Sequence, residues 1–253
     1  MELGLGGKTA VVTGGSGGLG RAVCDAFCAE GANVVVHYFT QKVGTLEFAD
    51  GLSNRYGAAA LPLQADLRNS SEIDAMFAAV VSAFGGFDIL VNNAGTWPQT
   101  MVRDLSEEEW DETLRINLTS AFMTSKRAVN HFVETSRKGR IINVISINGI
   151  NGATRRHAHY AAAKGGLLTF TYSLAREVAE YGITVNAVCP GMMRTNMNRK
   201  VLEEHEEEYI ARIPLGRISE PEEVASSVVF LASDLAGYIT GSTLNATGGM
   251  MMR

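Results

Sequence analysis

The chain has 253 residues with a formal net charge of −5, and 46% of its residues are hydrophobic and 19% charged. This composition is typical of a globular protein with enough chain for one large core, so we expect a single domain over residues 1–253. The sequence has no basic stripe of the kind that binds nucleic acid, so we expect no nucleic-acid partner. No apolar run reaches the ~18 residues that cross a bilayer, and the first residues lack a secretory signal pattern. Cys24, Cys28 and Cys189 form no CxxC pair, so we expect core thiols, no metal site and a reducing, cytoplasmic setting.

Strand and helix patterns alternate along the chain. Short apolar, β-rich runs predict strands at 9–13, 33–38, 59–64, 88–92, 140–146, 183–189 and 242–245. Longer patterns predict helices at 21–30, 43–56, 70–84, 106–134, 158–181 and 221–232. Because the strands are continuous apolar runs, we expect them to be parallel and buried on both faces. The alternation predicts an α/β fold with a Rossmann-like, doubly wound sheet and helices on both faces. Only the Met- and Glu-rich segment 192–214 breaks it, and we interpret this segment as a substrate flap.

A glycine-rich turn joins the first strand to the first helix, with the sequence TGGSGGLG at 13–20. Glycines allow a tight turn and a close approach to a pyrophosphate, and the helix N-terminus adds free N–H groups and a positive dipole end. The strand–turn–helix context predicts a dinucleotide site. We expect contacts from Gly14, Ser16, Gly17, Gly18, Leu19 and Gly20.

Tyr160 and Lys164 lie four residues apart in a predicted helix, so they share one face. A neighbouring ammonium favours phenolate, so we expect Lys164 to lower the pKa of Tyr160 and tune it for proton transfer to a carbonyl oxygen. Ser146 ends a predicted strand, where its hydroxyl can stabilise charge on a substrate oxygen. The pattern predicts carbonyl–alcohol chemistry.

The order of motifs over nearly the whole chain resembles the short-chain dehydrogenase/reductase family in its compact single-domain form. The matching positions are TGxxxGxG at 13–20, Asp66-Leu67, Asn92-Asn93-Ala94-Gly95, Asn117, Ser146, Tyr160, Lys164 and the PGxxxT stretch at 190–195. The family includes 3-oxoacyl reductases of fatty-acid synthesis and sugar or polyol dehydrogenases. One departure is visible: Tyr160 follows Ser146 by fourteen positions, one more than the usual spacing, which we interpret as a loop insertion.

The resemblance implies a role for each matching position. Tyr160 protonates the substrate oxygen as hydride arrives, Lys164 also holds the nicotinamide ribose, and Asn117 steadies a water that relays protons. Further cofactor contacts are implied for Tyr38, Asp66, Leu67, Asn93, Ala94, Gly95, Pro190, Gly191, Met193 and Thr195.

The cofactor preference depends on the end of the second strand. NAD-binding relatives carry an acidic residue there, about 20 positions after the glycine turn. In this chain the family alignment places Tyr38 at that position, so no carboxylate is present to repel the 2′-phosphate of NADP. Ser16, Thr40 and Lys42 can contact that phosphate weakly, although Gly17 stands where some NADP-using relatives carry arginine. We therefore favour NADP(H) over NAD(H).

The substrate stays open between classes. Trp97 and Met192 are candidate pocket residues, and Arg155 and Arg156 can grip an anionic group. A 3-oxoacyl thioester is the leading small-molecule substrate; a sugar, polyol or cyclic alcohol is the alternative. A third possibility is a nicotinamide-binding protein without catalytic activity. The presence of all four catalytic residues, Asn117, Ser146, Tyr160 and Lys164, argues against it. The resemblance also implies a homotetramer, built on the helices around Asn117 and Tyr160.

Overall fold

Seven parallel strands form one sheet in the computed structural model of the protein, which describes residues 2–152 and 155–252. The strands, β1 to β7 in chain order, are Thr9–Val12, Asn33–Tyr38, Ala60–Gln64, Ile89–Asn92, Arg140–Val144, Thr184–Pro190 and Thr243–Ala246. They lie in the order β3-β2-β1-β4-β5-β6-β7, and every neighbouring pair is parallel. The predicted doubly wound α/β fold is confirmed.

The helices of the described residues, α1 to α9, are Gly18–Ala29, Lys42–Tyr56, Ser70–Phe84, Glu107–Leu114, Ser120–Glu134, Asn148–Asn151, Ala158–Val178, Arg199–Ile210 and Pro221–Ala232. Local chemistry sets several ends. The Asn69 side chain accepts the N–H of Ser71 at the start of α3, and Gly85 ends that helix in the left-handed conformation. Pro221 opens α9 beside a capping box. No helix in the described ranges is long and apolar enough to span a membrane.

Alternate residues of the central strands face opposite helix layers. Ala10 and Val12 of β1 pack against α1, α2 and α9, whereas Val11 packs against α3, α5 and α7. Residues two apart in a strand share a face, so a continuous apolar run supplies both layers at once. Burying one valine such as Val11 completely contributes roughly 2 kcal/mol. The two-layer burial explains why the strands do not alternate in polarity.

A buried polar network ties the centre of the sheet to the second helix layer. Asn92 of β4 donates to Asn143 of β5 at 2.8 Å and to Ser125 of α5 at 2.9 Å. Thr124 donates to Asn92 at 2.6 Å, and Asn143 donates to Thr171 of α7 at 2.9 Å. Buried polar groups are costly unless they are paired, so this network fixes how α5 and α7 dock beneath the site.

The predicted helix at 106–134 contains a wider turn in its middle. A π-helical turn, Arg115–Thr119, separates α4 from α5. The Asn117 side chain donates to the carbonyl oxygen of Thr113 at 3.1 Å, which is the acceptor that its own backbone N–H would use in a regular α-helix. The expectation of one regular helix was therefore wrong at this turn, since a side chain replaces the backbone donor there.

The segment 192–214 contains helix α8 and has a small apolar core of its own. Leu202 of α8 forms a small apolar cluster with Ile213 and Ile218. Arg194 pairs with Glu206 of α8. Movement of this segment over a substrate stays a prediction.

Candidate functional site

A cleft of about 860 Å³ lies at the carboxyl ends of the strands. The chain reverses its direction across the sheet between β1 and β4, and in such sheets ligands bind at that switch point. Most of the residues singled out from the sequence line this cleft: Gly14, Ser16, Gly17, Gly18, Leu19, Gly20, Asp66, Leu67, Asn93, Ala94, Gly95, Trp97, Asn117, Ser146, Tyr160, Lys164, Pro190, Gly191, Met192, Met193 and Thr195. The volume lies within the range of small-molecule and cofactor sites.

The glycine turn is packed so closely that side chains do not fit. Gly14 has a φ of +63°, a β-carbon on Gly18 would lie 2.8 Å from the Thr195 side chain, and one on Gly20 would overlap the carbonyl oxygen of Gly14. The first turn of α1 has no side-chain cap, so its backbone N–H groups face the cleft with the positive end of the helix dipole. This cradle fits the pyrophosphate of a dinucleotide.

Two side chains hold the glycine turn in place. The Thr13 hydroxyl accepts the N–H groups of Asn93 and Ala94 at 2.9 and 3.0 Å. His37 accepts the N–H of Gly14 through Nδ1 at 2.9 Å, and its Nε2 donates to the carbonyl oxygen of Ala65 at 2.9 Å. Burial lowers the pKa of His37, which favours this neutral form. Sequence reasoning missed His37, because its partners lie 23 and 28 positions away.

The three proposed acid–base residues meet where α7 crosses the end of β5. The Lys164 ammonium lies 5.9 Å from the centre of the Tyr160 ring and donates to the carbonyl oxygen of Val144 at 2.8 Å. Ser146 lies two residues after β5, and its hydroxyl is close enough to Tyr160 to lower the pKa of the phenol. A β-carbon on Gly149 would lie 2.6 Å from the Lys164 backbone, so this glycine lets the short helix α6 pack tightly on α7.

Burial dominates the titration of Tyr160 and Lys164. It raises the pKa of Tyr160 to about 12, although the neighbouring Ser146 hydroxyl opposes the rise. It lowers the pKa of Lys164 to about 8. The expected lowering of the tyrosine pKa is not found, since desolvation of the phenolate is the largest influence on that pKa and raises it. Tyr160 is consequently a protonated phenol at neutral pH.

Asn117 and Lys164 converge on Gly95. The Asn117 side-chain oxygen accepts the N–H of Thr96 at 3.2 Å. A β-carbon on Gly95 would lie 2.6 Å from that oxygen and 3.6 Å from the Lys164 nitrogen. The π-helical turn and this glycine together bring a buried amide into the cleft beside the lysine.

The adenosine end of the cleft differs from the sequence prediction. Tyr38 is only 4% exposed and does not line the cleft, which is lined instead by Phe39, Thr40 and Gln41 just beyond β2. The expected contact from Tyr38 was wrong, because this last strand residue points into the core. Arg68, which sequence reasoning missed, stacks 5.2 Å from the Phe39 ring centre and is held by a carboxylate, Asp66.

The substrate end of the cleft is more apolar. Trp97 and Met192 line it, whereas Arg155 and Arg156 are exposed and do not. The expectation that this arginine pair contacts the substrate is not met, because the loop turns them outward. The structure does not describe residues 153 and 154 of that loop. Met197 of the predicted flap also lines the cleft, together with three residues that the sequence did not indicate as substrate contacts: Tyr209, Arg212 and Met250.

A protein-family model described as enoyl-(acyl carrier protein) reductase matches residues 14–251. The chain belongs to the short-chain dehydrogenase/reductase family. It is a nicotinamide-dependent oxidoreductase that interconverts a carbonyl and a secondary alcohol on a small molecule.

Individual relatives extend over almost the same length. The chain is 42% identical to 3-oxoacyl-(acyl-carrier-protein) reductase of Vibrio cholerae, over 98% of this chain and 99% of the relative. It is 41% identical to the Escherichia coli protein of the same name, over 97% and 98%. It is also 42% identical to 3beta-hydroxysteroid dehydrogenase 1 of Eggerthella lenta, over 98% and 95%.

Proposed function

We propose that the protein is an NADPH-dependent reductase of 3-oxoacyl thioesters, acting in a reducing cytoplasm where its three buried thiols stay free. The observation that carries the reaction is the Tyr160 phenol, half-buried and protonated at neutral pH, beside Lys164 and Ser146 in a cleft with a dinucleotide cradle. The substrate class is that of the Vibrio cholerae and Escherichia coli relatives.

The residues divide the work of carbonyl reduction. The Ser146 hydroxyl and the Tyr160 phenol donate hydrogen bonds to the carbonyl oxygen, and Tyr160 gives up its proton as negative charge develops there. Lys164, at 5.9 Å from the ring centre, stabilises the phenolate that remains. Asn117 holds the water that returns a proton through Lys164. When bound, the nicotinamide supplies the hydride.

The preference for NADPH rests on the residues after β2. Phe39, Thr40 and Gln41 line the adenosine end, and none of them carries a charge that repels a 2′-phosphate. Ser16 also lines this part of the cleft, whereas Lys42 does not. The guanidinium of Arg21 donates to the carbonyl oxygen of Ser16 at 3.0 Å and adds positive charge beside the turn.

A second candidate function is oxidoreduction of a cyclic alcohol such as a 3β-hydroxysteroid. The Eggerthella lenta relative carries that activity in its name and is as similar as the fatty-acid enzymes. The Trp97, Met192, Met197 and Met250 side chains give the substrate end an apolar, adaptable lining, which suits a steroid or an acyl chain.

The test is nicotinamide absorbance with NADPH and NADH against an acetoacetyl thioester, a 3-ketosteroid, a ketose and a cyclic ketone. We expect the thioester with NADPH to give the highest kcat/KM. Tyr160→Phe should reduce kcat by a factor of about 10²–10⁴ with little change in the NADPH Kd. Turnover that survives in the variant would remove Tyr160 from the mechanism, and a preferred ketosteroid would favour the second candidate.

A further inference from the structure

Trp97, in the wall of the cleft, lies flat against His157. The two ring centres are 4.4 Å apart and the planes differ by 6°. His157 is only 4% exposed, so the imidazole backs the indole from the protein side while Trp97 faces the cleft. Aromatic pairs in this arrangement add to the free energy of ordinary burial.

The imidazole is itself fixed to the loop that carries the indole. Its Nδ1 lies 2.8 Å from the carbonyl oxygen of Pro98, the residue after Trp97. A carbonyl only accepts, so Nδ1 carries the proton and donates. Burial lowers the pKa of His157, which agrees with a neutral ring in this tautomer. One side chain therefore stacks on Trp97 and hydrogen-bonds the next peptide.

Two further contacts join the same segments. The Thr100 N–H donates to the carbonyl oxygen of Arg156 at 2.8 Å, and the Thr100 hydroxyl donates to Glu109 at 2.6 Å. Glu109 lies 3.8 Å from Nε2 of His159, which is completely buried. The loop 96–100 is thus attached to the start of α7 on both sides of His157.

This attachment connects the wall of the pocket to the acid–base residue. His157 precedes α7, and Tyr160 lies three positions later, in its first turn. Because the wall and the phenol are set by the same short segment, the space between the indole and the phenol oxygen is held constant. Pocket walls fixed in this way discriminate between substrates by size and shape.

We infer that His157 is a positioning residue that holds Trp97 as a rigid wall of the substrate pocket and thereby sets which carbonyl compounds reach Tyr160. The inference rests on the proposed function. Without the imidazole, the indole gains rotamer freedom that substrate binding must remove, and this cost weakens binding. The loss of one aromatic stack corresponds to a three- to tenfold effect.

Fluorescence tests the positioning separately from catalysis. The chain has two tryptophans, Trp97 and Trp110, so Trp110→Phe leaves Trp97 as the only reporter. In that background we compare His157→Ala, which removes the ring, with His157→Phe, which keeps a flat ring but not the hydrogen bond to Pro98. We expect acrylamide to quench Trp97 more strongly in His157→Ala than in the parent, with His157→Phe between them. Thermal unfolding checks that each variant is folded.

Kinetics on the same variants test the specificity role. We expect His157→Ala to raise KM three- to tenfold for the best ketone while kcat changes less than twofold and the NADPH Kd is unchanged. Unchanged KM values, or quenching equal to that of the parent, would overturn the role of His157. A parent that reduces none of the ketones would overturn the proposed function instead. In that case acrylamide quenching alone decides whether His157 positions Trp97. Stronger quenching in His157→Ala than in the parent supports this role, and equal quenching overturns it.

Discussion

Lys164 sets the expected pH dependence of the enzyme. Its pKa is about 8, lowered by burial, so the ammonium form is present below pH 8 and is lost as the pH rises through that value. Tyr160, with a pKa of about 12, keeps its proton over the same range. Because the phenolate left by proton transfer needs the cation, kcat/KM for carbonyl reduction should fall above about pH 8, approaching tenfold per pH unit. Initial rates from pH 6 to 10 at saturating NADPH measure this limb.

Lys164→Arg is the matched control for that limb. A guanidinium stays protonated throughout the pH range, so the variant should be slower but should show no fall near pH 8. The same falling limb in both enzymes would assign it to another group.

Thr40 lines the adenosine end of the cleft, where we expect the choice between NADPH and NADH to be made. It is exposed in the cleft just beyond β2, and a carboxylate there repels a 2′-phosphate but accepts hydrogen bonds from a 2′-hydroxyl. Thr40→Asp should weaken NADPH binding by about tenfold or more and strengthen NADH binding. Fluorescence titration with both nucleotides measures the two Kd values. Thr40→Asn is the uncharged control, and an equal loss in that variant would show that charge is not the cause.

At the residue scale, the sequence predicted which side chains lie together only where their spacing along the chain fixes their relative positions. Tyr160 and Lys164 could be paired because a helix places residues four apart on one face. His37 and His157 could not, since their partners are set by the packing of distant loops: Ala65 lies 28 positions from His37, and Pro98 lies 59 from His157. The pKa of Tyr160 also depended on burial, which spacing does not reveal.

At the element scale, two glycines of helix α2 allow the effect of backbone conformation on stability to be measured without any steric clash. Gly51 lies within the helix, Gly57 ends it with a φ of +69°, and a β-carbon on either would meet nothing within 4 Å. Gly51→Ala should raise the free energy of unfolding by about 1 kcal/mol through helix propensity. Gly57→Ala should lower it by about 1 kcal/mol, because alanine is strained in the left-handed region. Urea unfolding measures both, and changes of the same sign would contradict this explanation.

Element boundaries were predictable where a capping residue defines them. The helix at 70–84 and the helix at 221–232 match α3 and α9 in the structure, which carry the Asn69 cap and the Pro221 start respectively. The π-helical turn was not predictable, since it depends on one side chain: the Asn117 amide donates to the Thr113 carbonyl oxygen in place of a backbone N–H. The start of α1 was also set three residues too late, because glycines at 18 and 20 read as turn residues although they are helical.

At the scale of the whole molecule, the parallel, doubly wound sheet was predictable from the alternation of strands and helices, but the docking of the helices on that sheet was not. The pairing of Asn92 with Asn143 joins neighbouring strands, and Thr124 and Thr171 extend it to α5 and α7. These residues lie far apart in sequence and are polar in an otherwise apolar core. Only the assembled fold shows that they satisfy one another.

The outer surface of α5 and α7 bears on the homotetramer that the family resemblance implies. Phe122 of α5 is 46% exposed and meets Phe170 of α7 edge to face at 6.2 Å. Exposed aromatic pairs are typical of protein interfaces, so we expect this surface to contact another copy. Phe122→Glu should bury an unpaired charge in that contact at a cost of about 3 kcal/mol or more, over a hundredfold in association.

Size-exclusion chromatography with light scattering measures the mass of the assembly and so detects this dissociation. The wild type should have four times the chain mass, and Phe122→Glu should give dimers or monomers at micromolar concentration. Val43→Glu is the matched control, because Val43 is 69% exposed on α2, and that helix packs on the opposite face of the sheet. A wild-type monomer would refute the tetramer. Equal dissociation in both variants would mean that added negative charge, rather than the loss of the Phe122 contact, separates the copies.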